Sequence, residues 1–355
     1  MSMALICLAF AIPAVAADTG VRALDEAAIK VKAPEKVFLD AITTAGSRLV
    51  AGGEHGVIII SDNDGVTWRQ AVVPVNVEIT AISFASPSQG WAVGHYGIIL
   101  HTRDAGATWH VQLNGLQANQ LTLAAAQAAV ASNDPSPGTP LALKRAAHFV
   151  SGGADKPLLT IWADTPQDAI VFGAYRLALK TTDGGKTWTD WSLHVGDAYS
   201  HNLYDVAAAG GQVYLVAETG IVFRSADGGA TFQNIATPGN ATLFGVHGDG
   251  DGGVLVFGVA GQIFLSSDDG KSWKPVTTGT SDNLTAAITL RDGSIVLACE
   301  NGTLYRSTDH GQSFSPLRLA IPMAIFDLVQ AEDGALVLAG NEGSLRVPLQ
   351  DFKPD

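Results

Sequence analysis

The sequence predicts an all-β fold, a β-propeller of seven blades, from three observations: a repeat of about 41 residues, an Asp-box turn in six of its seven copies, and seven glycine turns joining paired apolar runs. The composition agrees. Of 355 residues 39 are glycine, 47% are hydrophobic and only 15% are charged, which suits short buried strands and tight turns. The repeat also makes one domain out of a length that would otherwise suggest two.

The box has the pattern [S/T]-x-D-x-G-x-[T/S]-[W/F]. Its first copy is Ser61-Asp62-Asn63-Asp64-Gly65-Val66-Thr67-Trp68, and the others occupy residues 102–109, 181–188, 225–232, 266–273 and 307–314. The closing aromatics Trp68 and Trp109 are 41 apart, Trp188 and Phe232 are 44 apart, and Phe232, Trp273 and Phe314 are again 41 apart. The carboxylates of Asp104, Asp183, Asp227, Asp268 and Asp309 suit acceptance of backbone N–H bonds further along the turn, and Asn63 keeps that chemistry without the charge. The glycine two positions on adopts positive φ without a Cβ clash, and the aromatic buries its face between sheets. Six equivalent copies indicate a structural role rather than a catalytic one.

Each unit therefore reads strand, turn, strand, glycine turn, strand, Asp box, strand. The seventh lacks its box, because little chain follows the glycine turn that ends at Gly343. Closing the ring requires an outer strand from elsewhere, and Ala28-Ile29-Lys30-Val31, which alternates before blade one, is expected to supply it. Between Trp109 and Trp188 the spacing is 79, which leaves an insertion of about residues 114–156 between blades two and three. Two helix-like runs, 121–130 and 141–150, flank the breaker Asn133-Asp134-Pro135-Ser136-Pro137-Gly138, so a helical pair is expected.

Residues 4–15 are apolar apart from Cys7, and Ala14-Val15-Ala16 is a small-x-small cleavage site, so residues 1–16 read as a signal peptide and 17–355 as the propeller domain. The Lys or Arg that usually precedes such a run is missing from Met1-Ser2-Met3. Cys299 is then the one cysteine of the mature chain, without a disulfide partner or a Cys-His setting, and a buried inert thiol is expected. The net charge of −13 offers no basic stripe for nucleic acid.

Strand order places the seven glycine turns and the links between blades at one mouth of the channel, with the Asp boxes on the opposite face. Aligned, the turns give a first variable column of Glu54, His95, Ala174, Glu218, Val259, Glu300 and Asn341, and a second of His55, Tyr96, Tyr175, Thr219, Ala260, Asn301 and Glu342. The third column is glycine in six blades and Arg176 in blade three, which singles out Arg176 as an exposed partner contact beside Tyr175 and Tyr96. With His55, His95, Glu54, Glu218, Glu300 and Glu342 these form the candidate partner-binding set. The two histidines have no third ligand, so no metal site is expected. The four glutamates could furnish the acid and base of a sialidase-like Asp-box glycoside hydrolase, the alternative reading. Against it, Arg176 is the one arginine among the turns, where a sialidase needs an arginine cluster, and the Arg-Ile-Pro signature is absent.

Gly90-Trp91-Ala92-Val93-Gly94, followed by residues 97–109, resembles a blade of the photosystem II stability and assembly factor family, and residues 177–188 repeat the likeness. The resemblance covers nearly the whole mature chain except the insertion. It implies a non-enzymatic monomeric scaffold, without a cofactor, in the periplasm or a thylakoid lumen and peripheral to the membrane at most. Its partner would be a membrane-protein complex or, in a non-photosynthetic bacterium, envelope transporter components.

Overall fold

A computed structural model describes residues 19–132, 139–196, 200–235, 239–317 and 323–348. Seven antiparallel sheets follow one another along the chain, six of four strands and the last of three, each in sequential order from the channel outward. The inner strands are Leu39–Ala45, Ile79–Phe84, Leu158–Ala163, Leu203–Ala209, Leu243–Gly248, Leu284–Thr289 and Ile325–Gln330. Neighbouring inner strands touch all the way round, the first with the last included, so the ring is closed. The second strands are fully buried runs such as Trp91, Ala92 and Val93, because they lie between adjacent sheets.

The boxes form as their sequence requires. In blade five Ser272 donates its backbone N–H to Asp268 Oδ1 at 2.8 Å and its hydroxyl to Oδ2 at 2.6 Å, while Gly270 N–H donates to Ser266 Oγ at 2.9 Å. Asn63 accepts the backbone N–H of Thr67 at 2.9 Å, so the amide does the carboxylate's work. The box glycines have φ between +75° (Gly270) and +82° (Gly106). Trp109, Trp188, Phe232 and Phe314 are buried; Trp68 and Trp273 are partly so. Arginines latch three of the boxes to the blade before: Arg48 Nη1 donates to Ala105 O, Arg224 Nη1 to Asp269 O and Arg346 Nε to Asp64 O.

Closure of the ring departs from expectation. Residues 28–31 form no strand, and their backbone is held by blade one: Ala28 N–H donates to Val73 O at 3.1 Å, Ile29 N–H to His55 O at 3.4 Å, and Gln70 Nε2 donates to Ile29 O at 2.6 Å. These bonds keep the segment away from blade seven, which has three strands among the described residues. The turn Pro34–Lys36 instead crosses the tip of blade seven, with Glu35 O so close that a Cβ on Gly343 would lie 2.0 Å from it. The preceding helix α1 (Arg22–Asp25) buries Leu24 against Val73, Val75 and Val77.

The insertion is a helical hairpin, α2 (Gly115–Ala131) and α3 (Thr139–Gly152). Asn114 and Gln117 form a reciprocal capping box that starts α2. Ala126, Ala142 and Ala146 pack the helices together, and Asn119 Nδ2 donates to Phe149 O and Gly153 O at the end of α3. The proposed breaker, the signal segment and residues 349–355 lie outside the described residues. Among the described residues no helix is long and apolar enough to cross a membrane. Cys299 is buried, and burial first, then Asp282, pushes its thiol up to about 11, in keeping with an inert role.

Candidate functional site

In blades one to five the mouth is built from a tip in which two successive residues take positive φ. The second-column residue does so without being glycine: His55, Tyr96, Tyr175, Thr219 and Ala260 lie between +55° and +57°. The third column is glycine for a steric reason the columns alone do not reveal. The link entering the next blade passes directly over it, so a Cβ on Gly56, Gly220 or Gly261 would sit 2.0–2.4 Å from Val75 O, Gly239 O or Thr280 O. Blade three differs in its link, where His201 O accepts the Arg176 N–H at 2.7 Å and a side chain fits.

Arg176 is consequently no rim side chain. It is 3% exposed and engaged within the fold, which corrects the expectation of an exposed contact. Tyr96 and Tyr175, by contrast, are displayed, at 38% and 50% exposure. Tyr175 packs edge-on to Phe149 of α3, ring centroids 6.2 Å apart, and Lys156 Nζ lies 5.7 Å from its ring centre. The insertion is thereby docked on the tip of blade three, and its first residue packs on blade two's tip, where a Cβ on Gly97 would meet Gly115.

The glutamates are mostly clasps. Glu218 accepts Asn202 N–H at 3.1 Å and Nδ2 at 2.9 Å, Glu300 accepts Asn283 Nδ2 at 2.7 Å, and Glu54 accepts Phe38 N–H at 3.4 Å. Each partner lies in the link entering the same blade. Asn202 and Asn283 also accept a tip N–H from the preceding blade, at Tyr175 and Ala260. Glu342 is exposed. His55 lies 3.3 Å from Asn76 Oδ1, and His95 Nδ1 lies 3.5 Å from Glu78. No group of three or more His, Cys, Asp or Glu is placed to hold a metal among the described residues.

Beneath the tips every inner strand carries a β-bulge at the same level. The bulged residues are Asp40, Thr80, Leu159, Tyr204, Phe244, Thr285 and Phe326, and all seven line a central cavity of about 320 Å³. Tyr204 and Phe244 meet edge-to-face at 5.4 Å, and Phe326 lies 5.0 Å from Phe38. Thr80 and Thr285 donate to Leu158 O and Ile325 O of the next blade, at 2.8 and 2.7 Å.

One position further along, Asp205 accepts Val206 N–H at 2.8 Å and Val246 N–H at 3.0 Å, and Asp327 accepts those of Leu328 and Ile42, both at 2.8 Å. Burial nevertheless raises Asp205 to about 6 and Asp327 to about 7. Asp40 is raised to about 8 by burial and then by the charge of Glu78. The mouth-to-channel column went unread in the sequence, because no one residue type runs through it; only the tips were aligned.

The family model described as "Photosynthesis system II assembly factor YCF48" matches residues 60–129 and 149–317, more than half of the chain, and its gap falls on the helical hairpin. Among curated proteins, the chloroplastic photosystem II stability/assembly factor HCF136 of Cyanidioschyzon merolae is 40% identical over 47 residues, which are 13% of this chain and 11% of that protein. A solved structure described as YCF48 bound to D1 peptide gives a TM-score of 0.64 at 17% identity, covering 92% of this chain and 99% of that one. YCF48 from Cyanidioschyzon merolae gives 0.63 at 14%, covering 90% and 98%, and the WD40 propeller domain of Doa1 gives 0.63 at 10%, covering 93% and 98%. With Doa1 scoring as high as YCF48, structural likeness shows the propeller alone, and membership rests on the sequence match.

Proposed function

Because the chain belongs to the photosynthesis system II assembly factor YCF48 family, we propose that it is a non-enzymatic scaffold that holds a membrane-protein partner against its mouth face during assembly. The observation that carries this reading is the docking of the helical hairpin beside two displayed tyrosines. Tyr96 and Tyr175 stand exposed at neighbouring tips, each in a strained positive-φ conformation, and the hairpin walls them on one side. Rigid aromatic anchors on a preformed concave face are what a protein interface needs. The YCF48 structure with a D1 peptide supports a polypeptide partner by analogy.

We place the protein on the periplasmic or lumenal side of a membrane. The support is the apolar run of residues 4–15 with its Ala14-Val15-Ala16 site. The partner would be a membrane-protein complex or transporter component of that compartment, and the scaffold would act as a monomer peripheral to the membrane.

A glycoside hydrolase finds less support. Glu218, Glu300 and Glu54 are committed to link residues of their own blades, and Arg176, the one arginine of the tips, is buried. Affinity capture from detergent-solubilised envelope or thylakoid membranes tests the reading. Tyr175→Ala or Tyr96→Ala should weaken capture by about 1–3 kcal/mol, and turnover of a chromogenic glycoside panel should be nil. Turnover lost on a single Glu→Gln change would overturn the scaffold assignment, as would undiminished capture by the double tyrosine variant.

A further inference from the structure

We propose that the channel beneath the mouth is a receptor for one cationic side chain, lysine or arginine, carried on an apolar stretch of a partner polypeptide. The inference rests on the scaffold reading and names the chemistry that the same face would select. Three carboxyl groups reach the channel, and two are satisfied by inner-strand N–H groups, Asp205 by Val206 and Val246 and Asp327 by Leu328 and Ile42. Asp40 is different. Its Oδ2 is buried and receives no donor from the backbone or from a basic side chain; the charged groups facing it are both acidic, Glu78, whose carboxyl is near enough to share a proton with it, and Glu54, with His95 behind Glu78 at 3.5 Å.

Three of the seven residues at this level, Tyr204, Phe244 and Phe326, are aromatic, set among the polar Asp40, Thr80 and Thr285. Phe326 and Phe38 stand together at 5.0 Å, and Tyr204 and Phe244 stand together at 5.4 Å. Such rings accept both an aliphatic stem and the charge at its end, through burial and cation–π attraction. A cavity of about 320 Å³ admits a side chain and not a folded module. Charge complementarity selects its sign: Glu78 and Glu54 face Asp40 on the side of blades one and two, the one arginine of the tips is enclosed, and the chain carries −13 overall. An apolar occupant would leave Asp40 and Glu78 only the proton they share, whereas an ammonium or guanidinium supplies donors to both carboxylates once that proton has left.

Burial and Glu78 hold the Asp40 pKa up at about 8, so near pH 7 its carboxyl is protonated. Arrival of a cation favours the carboxylate, and the proton leaves to solvent. Capture should therefore strengthen between pH 7 and pH 9, where lysine is still charged.

The test is calorimetry with an acetylated, amidated pentapeptide Ala-Leu-Lys-Leu-Ala and its norleucine counterpart, each in two buffers of different ionisation enthalpy. The lysine peptide should bind at least about ten-fold more tightly, with proton release at pH 7. Asp40→Asn should reduce the preference to within about two-fold, and Glu78→Gln should reduce it in part, which keeps the test decisive if one variant fails to fold. Equal affinity for the two peptides overturns the proposal, and so does a lysine preference that survives Asp40→Asn and Glu78→Gln. Tyrosine-dependent capture of membrane proteins without lysine preference would overturn this inference alone. Lysine preference without any membrane protein captured would support it and overturn the scaffold reading.

Discussion

Asp327 Oδ2 accepts the backbone N–H of Ile42 at 2.8 Å, a bond between the innermost strands of the last and first blades. Two further bonds converge on the same junction, Arg346 Nε to Asp64 O at 3.0 Å and Glu332 N–H to Asp64 Oδ1 at 2.9 Å. Among the described residues the ring is thus shut by side chains reaching across the joint rather than by a shared strand.

Removal of that carboxylate tests the closure. Asp327→Ala strips the acceptor from the N–H groups of Ile42 and Leu328, and leaving buried donors unmatched costs roughly 1–3 kcal/mol. Urea unfolding should show that loss. An unchanged midpoint would mean that the joint is held elsewhere.

The two buried channel aspartates also set a pH dependence whose sign differs from that of the boxes. Asp205 and Asp327 titrate at about 6 and about 7 in the fold against 3.8 for the ordinary side chain, so burial favours their protonated form. Their contribution is complete below the unfolded pKa and is lost as pH rises through 6 and 7. Thermal midpoints measured against pH should fall less steeply over that window in Asp205→Asn and Asp327→Asn than in the parent.

The box carboxylates run the other way. Hydrogen bonds from Thr187 and Ser272 hold Asp183 and Asp268 near 2, and the Thr231 N–H does the same for Asp227. Their stabilisation is present above the ordinary 3.8 and is lost as pH falls toward 2. Asp268→Asn, which imitates Asn63, should flatten that acid limb with little change in the thermal midpoint at neutral pH, while Asp268→Ala, which removes both acceptors of Ser272, should lower that midpoint clearly.

What the sequence disclosed was local in origin. A box is eight residues that satisfy one another, so Ser266, Asp268, Gly270 and Ser272 announce it wherever they stand. The helical hairpin was legible for the same reason, through its alanine-rich runs. Closure was not, because Asp327 and Ile42 are remote in sequence and neither carries a motif. Arg176 was misplaced because the tip glycines looked merely tolerated, whereas a link carbonyl from the next blade obliges them. The bulge column escaped because Asp40, Thr80, Leu159, Tyr204, Phe244, Thr285 and Phe326 share a place in space and no chemistry common to all seven.

That steric obligation is itself testable at Gly261. Its φ is +68°, and a Cβ would lie 2.3 Å from Thr280 O, so Gly261→Ala combines strain with a backbone clash. A loss of at least about 2 kcal/mol is expected, well beyond the usual helix or strand cost of such a change. Stability equal to the parent would show that the link yields.

Excision of the hairpin separates the ring from its interaction surface. The insertion leaves and re-enters the propeller at one point, since a Cβ on Gly115 would meet the Ala154 Cα at 3.1 Å. Joining Asn114 to Ala154 through two or three glycines therefore spans the gap without moving blades two or three. The ring's own contacts stay intact, including the Gln112 Oε1 that accepts from both Trp91 Nε1 at 3.0 Å and Trp188 Nε1 at 3.3 Å. What is lost is the cover that Phe149 gives Tyr175, the packing of Gly115 on the blade-two tip, and the packing of Ala118 and Leu121 of α2 against Leu113, Leu177 and Trp188. The excised protein should still unfold cooperatively, at a midpoint lowered by the loss of Ala118 and Leu121 from the core of blades two and three, and should capture its membrane partner at least about ten-fold more weakly. Failure to fold would make the hairpin part of the ring's structure, and undiminished capture would remove it from the interface.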